Sequence, residues 1–318
     1  MKIFKLQFLP VSPITKIPDS QTFFGALCTA IKDIYGRDKL ESFLKEMETK
    51  EYPFILSSFF YANTFPMPLD INPEFFEEKD INIKDIALLK KIKKVERVST
   101  GVFEDYIKNF DEFNNKFYKR IIAGEYLFIP ANNLLIKVEE RQEYFSKKLS
   151  ESITRTRNKV NYKKEKDTDL FYNNIIYLDD AVIFDAYIKV KDEDVFEVIL
   201  NSLEKYKYLS IGGKRSIGMN LFEFIGYSEF FNVDFKDKKL LLSKCILDSD
   251  EVDFKNSYYK IMHLNNKFDN NSESVYKHSL SVFVEGSVFN TSQTIIGDVV
   301  KEKGEHFDIY HNAIGFLI

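Results

Sequence analysis

The stretch Tyr208-Leu-Ser-Ile-Gly-Gly-Lys-Arg-Ser-Ile-Gly-Met-Asn220 restricts what this chain can fold into more than any other part of it. Two adjacent glycines, Gly212 and Gly213, let the backbone turn tightly and expose its N–H groups with no Cβ in the way. Lys214 and Arg215 place two cations beside those donors, and Ser216 adds a hydroxyl. Exposed amides in a turn make an anion-binding concavity, and Lys and Arg complete the grip on a phosphate. The flanking pattern predicts an amphipathic helix over Val195–Tyr206 and a strand over Leu221–Ile225. Such a loop suits an α+β domain that binds nucleic acid. Its helix-to-strand order is opposite to that of the Walker and dinucleotide motifs, which run from a strand into a helix. No cofactor is expected. A basic, glycine-containing connector would show the same spacing, so the rest of the chain has to separate the two readings.

Net charge of −4 alone would argue against a nucleic-acid partner, but the charge is unevenly placed. Between Arg141 and Lys166 there are nine Lys or Arg against three Glu, so the remainder carries −10. A basic segment on an acidic protein leaves a local electrostatic footprint. Within it, Thr154-Arg-Thr-Arg-Asn-Lys-Val-Asn-Tyr-Lys-Lys164 spaces Arg155, Arg157, Lys159, Lys163 and Lys164 through hydrogen-bonding Thr and Asn, with Tyr162 among them. Cations neutralise phosphates, and an aromatic ring can stack an unpaired base for ~1–3 kcal/mol. That combination fits single-strand binding without sequence preference. Arg141–Leu170 shows no clear period and is expected to be a long loop ordered on binding; a solvated surface loop is the alternative.

The 318 residues are comfortable for two domains, and no apolar run approaches the ~20 residues needed to cross a bilayer. The N-terminus alternates like a strand over Lys2–Leu9 and lacks a signal peptide's apolar stretch, so a cytoplasmic location is expected. Cys28 and Cys245 are too few for a disulfide framework or a thiolate metal site. After the loop with Pro10, Pro13 and Pro18, Asp19 or Ser20 caps a helix to about Tyr35, closed by Gly36. Further on, Phe54–Tyr61 predicts a strand, Ile83–Val98 and Glu112–Ala123 helices, and Ala181–Val190 a strand. The first 230 residues thus read as the β-α-β-β-α-β, ferredoxin-like or RRM-like order with insertions. From about residue 236 the pattern changes to short strands, which suggests domains over 1–235 and 236–318.

Catalytic candidates are sparse. His263, His278, His306 and His311 all lie in the C-terminal quarter, and no Cys or carboxylate cluster accompanies them. Asp19 could hold a divalent ion near a phosphate, although an N-cap is the commoner use of Asp there. Asp248-x-Asp-Glu-x-Asp253 lacks the central glycine of a calcium loop and reads as a surface acidic patch.

Three segments together resemble one family, the RAMP-superfamily subunit at the foot of type III-A CRISPR (Csm) effector complexes. Asp19-Ser-Gln-Thr-Phe-Phe-Gly-Ala-Leu27 is similar to that family's helix start, and Ile211-Gly-Gly-Lys-Arg-Ser-Ile-Gly218 resembles its glycine-rich loop. Phe283-Val-Glu-Gly-Ser-Val-Phe289 and Ile309-Tyr-His-Asn-Ala-Ile-Gly-Phe316 resemble its last strands, and Arg157-Asn158-Lys159 ahead of Asp169-Leu-Phe171 its Arg-Asn segment. Asn220 departs from the pattern, standing where the loop usually ends in Gly, and Ile217 replaces a small polar residue. The resemblance implies two ferredoxin-like domains and a non-catalytic role in holding the 5′ handle of the guide (crRNA). It implies RNA contacts at Ser20, Gln21, Arg155, Arg157, Asn158, Lys159, Lys163, Lys164, Gly212, Gly213, Lys214, Arg215 and Ser216. The partners it implies are the large polymerase-type subunit and a neighbouring RAMP backbone subunit, with no membrane and no metal. Within the same superfamily, a repeat-cleaving endoribonuclease and an Asp-dependent target-cleaving subunit are the alternatives.

Overall fold

Strand β1 (Lys2–Pro10) buries Phe4, Leu6 and Phe8 and leaves Lys5 and Gln7 half-buried, the period-2 pattern of its sequence. The computed structural model describes residues 1–71, 90–144, 149–160, 168–230, 238–264, 267–270, 273–276, 279–303 and 308–318. Helix α1 (Ser20–Tyr35) begins where the Asp19 carboxylate accepts from the Thr22 amide at 2.8 Å, and ends at Gly36, whose φ of 89° suits glycine. Helix α2 is Arg37–Glu48. The strand expected over Phe54–Tyr61 is broken into β2 (Phe54–Leu56) and β3 (Phe60–Tyr61). Between them, the Ser57 hydroxyl accepts from the Tyr187 amide at 2.7 Å, while the Ser58 amide donates to Leu242 O at 2.8 Å.

An insertion follows: β4 (Thr64–Pro66), β5 (Arg97–Ser99), α3 (Thr100–Lys108), α4 (Phe110–Ile122), β6 (Tyr126–Ile129) and β7 (Leu134–Lys137). Its strands form a four-stranded sheet in the order β4-β5-β7-β6. Of the helix expected over Ile83–Val98, residues 83–89 lie outside the described residues and 90–92 are helical, while its end is strand β5, in which β-branched Val98 pairs with Phe65 and Leu135.

Within the span expected as a long loop, Arg141–Leu170, the described residues form a helical turn over Arg141–Tyr144 and part of a two-stranded arm, while 145–148 and 161–167 lie outside them. Strands β8 (Ser150–Val160) and β9 (Thr168–Leu178) pair antiparallel along their whole length, from Ser150↔Leu178 to Val160↔Thr168. Its exposed faces carry Thr and Arg in alternation rather than apolar and polar residues, so the hydrophobic period that marks a half-buried strand is absent although the β-branched content is there.

Strand β10 (Phe184–Val190), helix α5 (Glu193–Lys205), the short strand β11 (Leu209–Ser210) and β12 (Leu221–Glu229) complete the first sheet. Its order is β11-β12-β1-β10-β2, with β3 also on β10 and every pairing antiparallel. This realises the β-α-β-β-α-β succession, β1-α1-β2/β3-β10-α5-β12, within an α+β fold. Both faces of the sheet are covered. On one, Phe4 stacks on Phe196 of α5 with ring centroids 3.8 Å apart, and Phe8 meets Phe23 of α1 edge-on at 5.5 Å. On the other, Tyr187 packs against Phe65 of the insertion and against Phe230 and Phe316. An open sheet platform of the RRM kind is therefore closed here, and loops and the arm carry the exposed chemistry.

The C-terminal part contains β13 (Lys238–Leu240), β14 (Ile261–Leu264), β15 (Lys267–Asn270), β16 (Glu273–Tyr276), β17 (Leu280–Phe283), β18 (Val288–Asn290), β19 (Ile296–Lys303) and β20 (Asp308–Gly315). Alternation along Leu240-Leu-Leu242 explains its attachment. Leu240 and Leu242 join the main core with Ile314 and Phe316, while Leu241 and Cys245 face a smaller cluster with Phe289 and Ile296. Buried Lys189 of β10 adds a polar tie, donating to Leu317 O at 2.7 Å.

Candidate nucleic-acid interface

The glycine-rich loop is shaped by four positive-φ backbone positions, Gly212 (φ 119°), Lys214 (φ 65°), Gly218 (φ 70°) and Asn220 (φ 58°), with a 3₁₀ turn over Arg215–Ile217. A Cβ built on Gly213 would meet nothing within 4 Å, so the backbone there faces open space. Among the described residues none accepts from the amides of Gly213 and Lys214. Those two amides and the Lys214 ammonium are the donors expected of the glycine pair.

The loop does not stand alone. The Lys214 ammonium donates to the Asn173 amide oxygen on β9, and Asn173 pairs directly with Arg155 on β8. Residues opposite one another in an antiparallel pair share a face, so Arg155, Arg157 and Asn173 point to the side of the arm that meets the loop. Partial burial lowers the Lys214 pKa, and the nearby Arg157 cation lowers it further. Two like charges held this close disfavour each other until an anion arrives between them. Arg155 lies over the Tyr177 ring, 5.7 Å from its centroid, and donates to its hydroxyl, which orients the guanidinium along the arm. Asn158 and Lys159 continue the same strand opposite Leu170 and Asp169. Lys163 and Lys164, with Tyr162, lie outside the described residues. The arm's other face exposes Tyr172, 70% accessible, and Leu170.

At its base the arm joins the β1–α1 connection through a two-way backbone bridge, Ile14 to Ile176, at 3.0 and 2.8 Å. The glycine loop reaches the same connection: Asn220 N donates to Pro13 O at 3.0 Å, and Leu221 N to the Ser12 hydroxyl at 2.9 Å. Loop, arm and connection thus converge. Arg155, Arg157, Gly213 and Lys214 come together in one region, with Gly212 and Ser216 in the loop behind.

Ser20 is a correction. It is fully buried, its amide donates to the Ser58 hydroxyl at 2.9 Å, and its own hydroxyl accepts from the Lys244 amide at 3.1 Å. A side chain so enclosed ties the C-terminal part to α1 and presents nothing to a polymer at the surface. Gln21, 8% exposed, is likewise interior. Asp19 is enclosed beside them. Besides capping α1, its carboxylate meets Lys244 at 2.8 Å and Lys16 at 2.9 Å. Burial alone would raise its pKa, but the two ammonium groups outweigh that and hold it well below the usual carboxylate range.

The histidines do not gather. His263 shares a 2.9 Å hydrogen bond with Ser281, His311 is buried against Glu302 at 2.8 Å, and His278 and His306 lie outside the described residues. Among the described residues no group of three His, Cys, Asp or Glu is placed to hold a metal ion. In the acidic stretch, Asp248 and Asp250 are exposed, while Glu251 caps the Asp248 and Gly297 amides at 2.7 and 2.8 Å. No described helix is long and apolar enough to cross a membrane.

Residue spacing alone did not reveal Asn173, Tyr177, Asn220 or Lys244. Two signals are there: Asn173-Asn174 sets side by side two residues of a type depleted in strands, and Asn220 departs from the loop pattern that the sequence resembles.

No protein-family model matches the sequence, and no curated protein does. Solved structures do match over the whole length. One is a chain of a Csm3–Csm4 subcomplex in the type III-A CRISPR-Cas interference complex, with a TM-score of 0.68 at 21% identity, covering 100% of this chain and 98% of that one. Chains of a Csm1–Csm4 cassette, solved with pppApA and with cA4, match with TM-scores of 0.57 at 14% identity, covering 100% of this chain and 97% of theirs. The fold is that of a type III CRISPR effector-complex subunit. Csm4 is the component common to both kinds of complex, and a Csm4-like fold agrees with the RAMP foot subunit that the sequence motifs resemble.

Proposed function

We propose that this chain is the RNA-binding foot subunit of a type III-A CRISPR interference complex, holding the crRNA 5′ handle along the glycine loop and the cationic face of the β8–β9 arm. The observation that carries this reading is the contact between Lys214 and Asn173, beside Arg155 and Arg157. Two basic elements, each singled out on its own merits and about 50 residues apart in sequence, form one surface. The chain docks the large polymerase-type subunit and a neighbouring RAMP backbone subunit, in keeping with the Csm1–Csm4 and Csm3–Csm4 pairings of its structural neighbours. Its architecture is two ferredoxin-like units, with the arm and the four-stranded sheet as insertions in the first.

The role is one of binding without catalysis. Asp19, the strongest metal-ligand candidate in the sequence, is committed to the α1 cap and to Lys244 and Lys16, which supports this reading. The test is co-purification of the chain with its complex, followed by sequencing the 5′ ends of the bound RNA. A uniform handle of roughly 8 nucleotides, within the span of one single-strand site, is expected. Random 5′ ends would refute handle binding. Site-specific RNA cleavage by the pure protein that is lost on Asp19→Asn would refute the non-catalytic reading.

A further inference from the structure

Asn220 occupies the position at which the glycine loop rejoins the sheet, and its side chain bonds in three directions. Its Oδ1 accepts from the Thr15 amide at 2.8 Å and from the Thr15 hydroxyl at 3.2 Å, and its Nδ2 donates to Gly213 O at 2.6 Å. Its backbone is in the left-handed region at φ 58°, which Asn tolerates better than other residues with a Cβ. The side chain is 1% exposed. A Cβ on Gly212 would come to 3.5 Å from its amide nitrogen, so the first glycine packs directly against this clamp.

A glycine at 220 would take the same φ at no cost but would offer no side chain. The loop would keep its Ile211–Asn220 and Asn220–Pro13 backbone bonds, the Leu221–Ser12 bond and the Lys214–Asn173 contact, but nothing of the side chain would hold the Gly213 carbonyl. Asn220 instead fixes the carbonyl of Gly213, and with it the direction of the Lys214 amide on the other side of the same planar peptide.

We propose that Asn220 is a positioning residue for nucleic-acid binding: it clamps the Gly213–Lys214 peptide to the β1–α1 connection, so that the phosphate-facing amide is set before RNA arrives. The inference rests on the RNA-binding reading above, and part of its test does not. Pre-organisation removes an ordering cost that binding would otherwise bear. Asn220 touches no phosphate, so its loss weakens affinity without changing how many phosphates are neutralised. This separates it from Lys214, whose loss removes a counterion-releasing contact.

The experiment compares the full-length protein with Asn220→Gly, Asn220→Ala and Lys214→Ala. Binding to a single-stranded RNA of about 16 nucleotides is titrated across a salt series, and amide hydrogen exchange is followed in the free proteins. Asn220→Gly is expected to bind roughly fivefold more weakly, the fold-change that losing a typical hydrogen bond converts to, with the wild-type salt slope. Its Thr15 amide, and the loop around Gly213, are expected to exchange faster. Asn220→Ala, strained as well as unclamped, is expected to fall further, and Asn220→Gly keeps the test open if that variant does not fold. Lys214→Ala is expected to lower the slope by about one. Wild-type affinity in Asn220→Gly, or a reduced slope in it, would overturn the positioning role. Unchanged Thr15 exchange in Asn220→Gly would overturn the clamp itself. Failure of the wild-type protein to bind RNA would sink the functional reading and with it the role, while the exchange result would still say whether the clamp exists.

Discussion

The glycine loop and the β8–β9 arm meet at Lys214 and Asn173, yet they are held in opposite ways. The loop is short and bonded at both ends, by Ile211 to Asn220 O, by Asn220 to Pro13 O and by the Asn220 side chain to Thr15. The arm is two strands of 11 residues whose internal ladder is complete, and it meets the body at its base, through the Ile14–Ile176 bridge, the Leu149–Asn132 hydrogen bond and buried Ile175. One element is pinned along its length by the body, and the other is held at its base and exposed beyond it. A polymer lying across both would meet cations on a pinned loop and on an exposed ladder. The body beneath them is held separately, by the Asp19–Lys244–Ser20 network that pins the C-terminal part to α1.

The largest expected effect comes from breaking that shared support. Asp19→Ala removes an N-cap and leaves the Lys244 ammonium buried without its carboxylate, a change expected to cost about 3–5 kcal/mol in denaturant unfolding. A loss under ~1 kcal/mol, the size of a surface effect, would show that the network matters little. The same group gives a pH dependence. Because its folded pKa is lowered, Asp19 contributes stability fully above the ordinary carboxylate value of about 4, and that contribution is lost as pH falls from there toward the lowered value. Asp19→Asn is expected to flatten the acid limb of the stability profile, and an unchanged limb would assign acid sensitivity to other groups.

Trypsin sharpens the contrast between the two elements. In the free protein, cutting at Arg155 and Arg157 on the exposed arm is expected to outpace cutting at Lys214 in the pinned loop, and RNA is expected to slow the arm sites. Equal rates at both, unaffected by RNA, would remove the distinction between an exposed and a pinned element. The smallest effect on the fold is expected from Arg155→Ala with Arg157→Ala, within about ±0.5 kcal/mol for each surface position.

Much of this was legible in the sequence, and the rest was not for identifiable reasons. Phe23, Phe24, Leu27, Ala30 and Ile31 mark the buried stripe of α1, and Asp19 its cap, because a helix declares itself over a short window. The glycine loop was visible because Gly-Gly-Lys-Arg-Ser joins rare backbone freedom to charge. The arm looks like a loop in the sequence because both of its faces are largely wet, so neither carries an apolar period. The resemblance implies an RNA contact at Ser20, and nothing near it in sequence reveals Lys244, more than 200 residues away, which encloses it. The part played by Asn220 was hidden for the same reason, since Thr15 and Pro13 reach it only through the fold.

The central claim is that loop and arm form one RNA-backbone surface, and the salt dependence of RNA binding tests it most directly. Lys214→Ala with Arg215→Ala, and separately Arg155→Ala with Arg157→Ala, are each expected to lower the slope of log K against log salt by roughly two. The fourfold variant is expected to lower it by roughly four, the sum for contacts made at once by a single bound strand. A slope left at the wild-type value by either pair would mean that the RNA backbone does not cross that element, and would contradict the account.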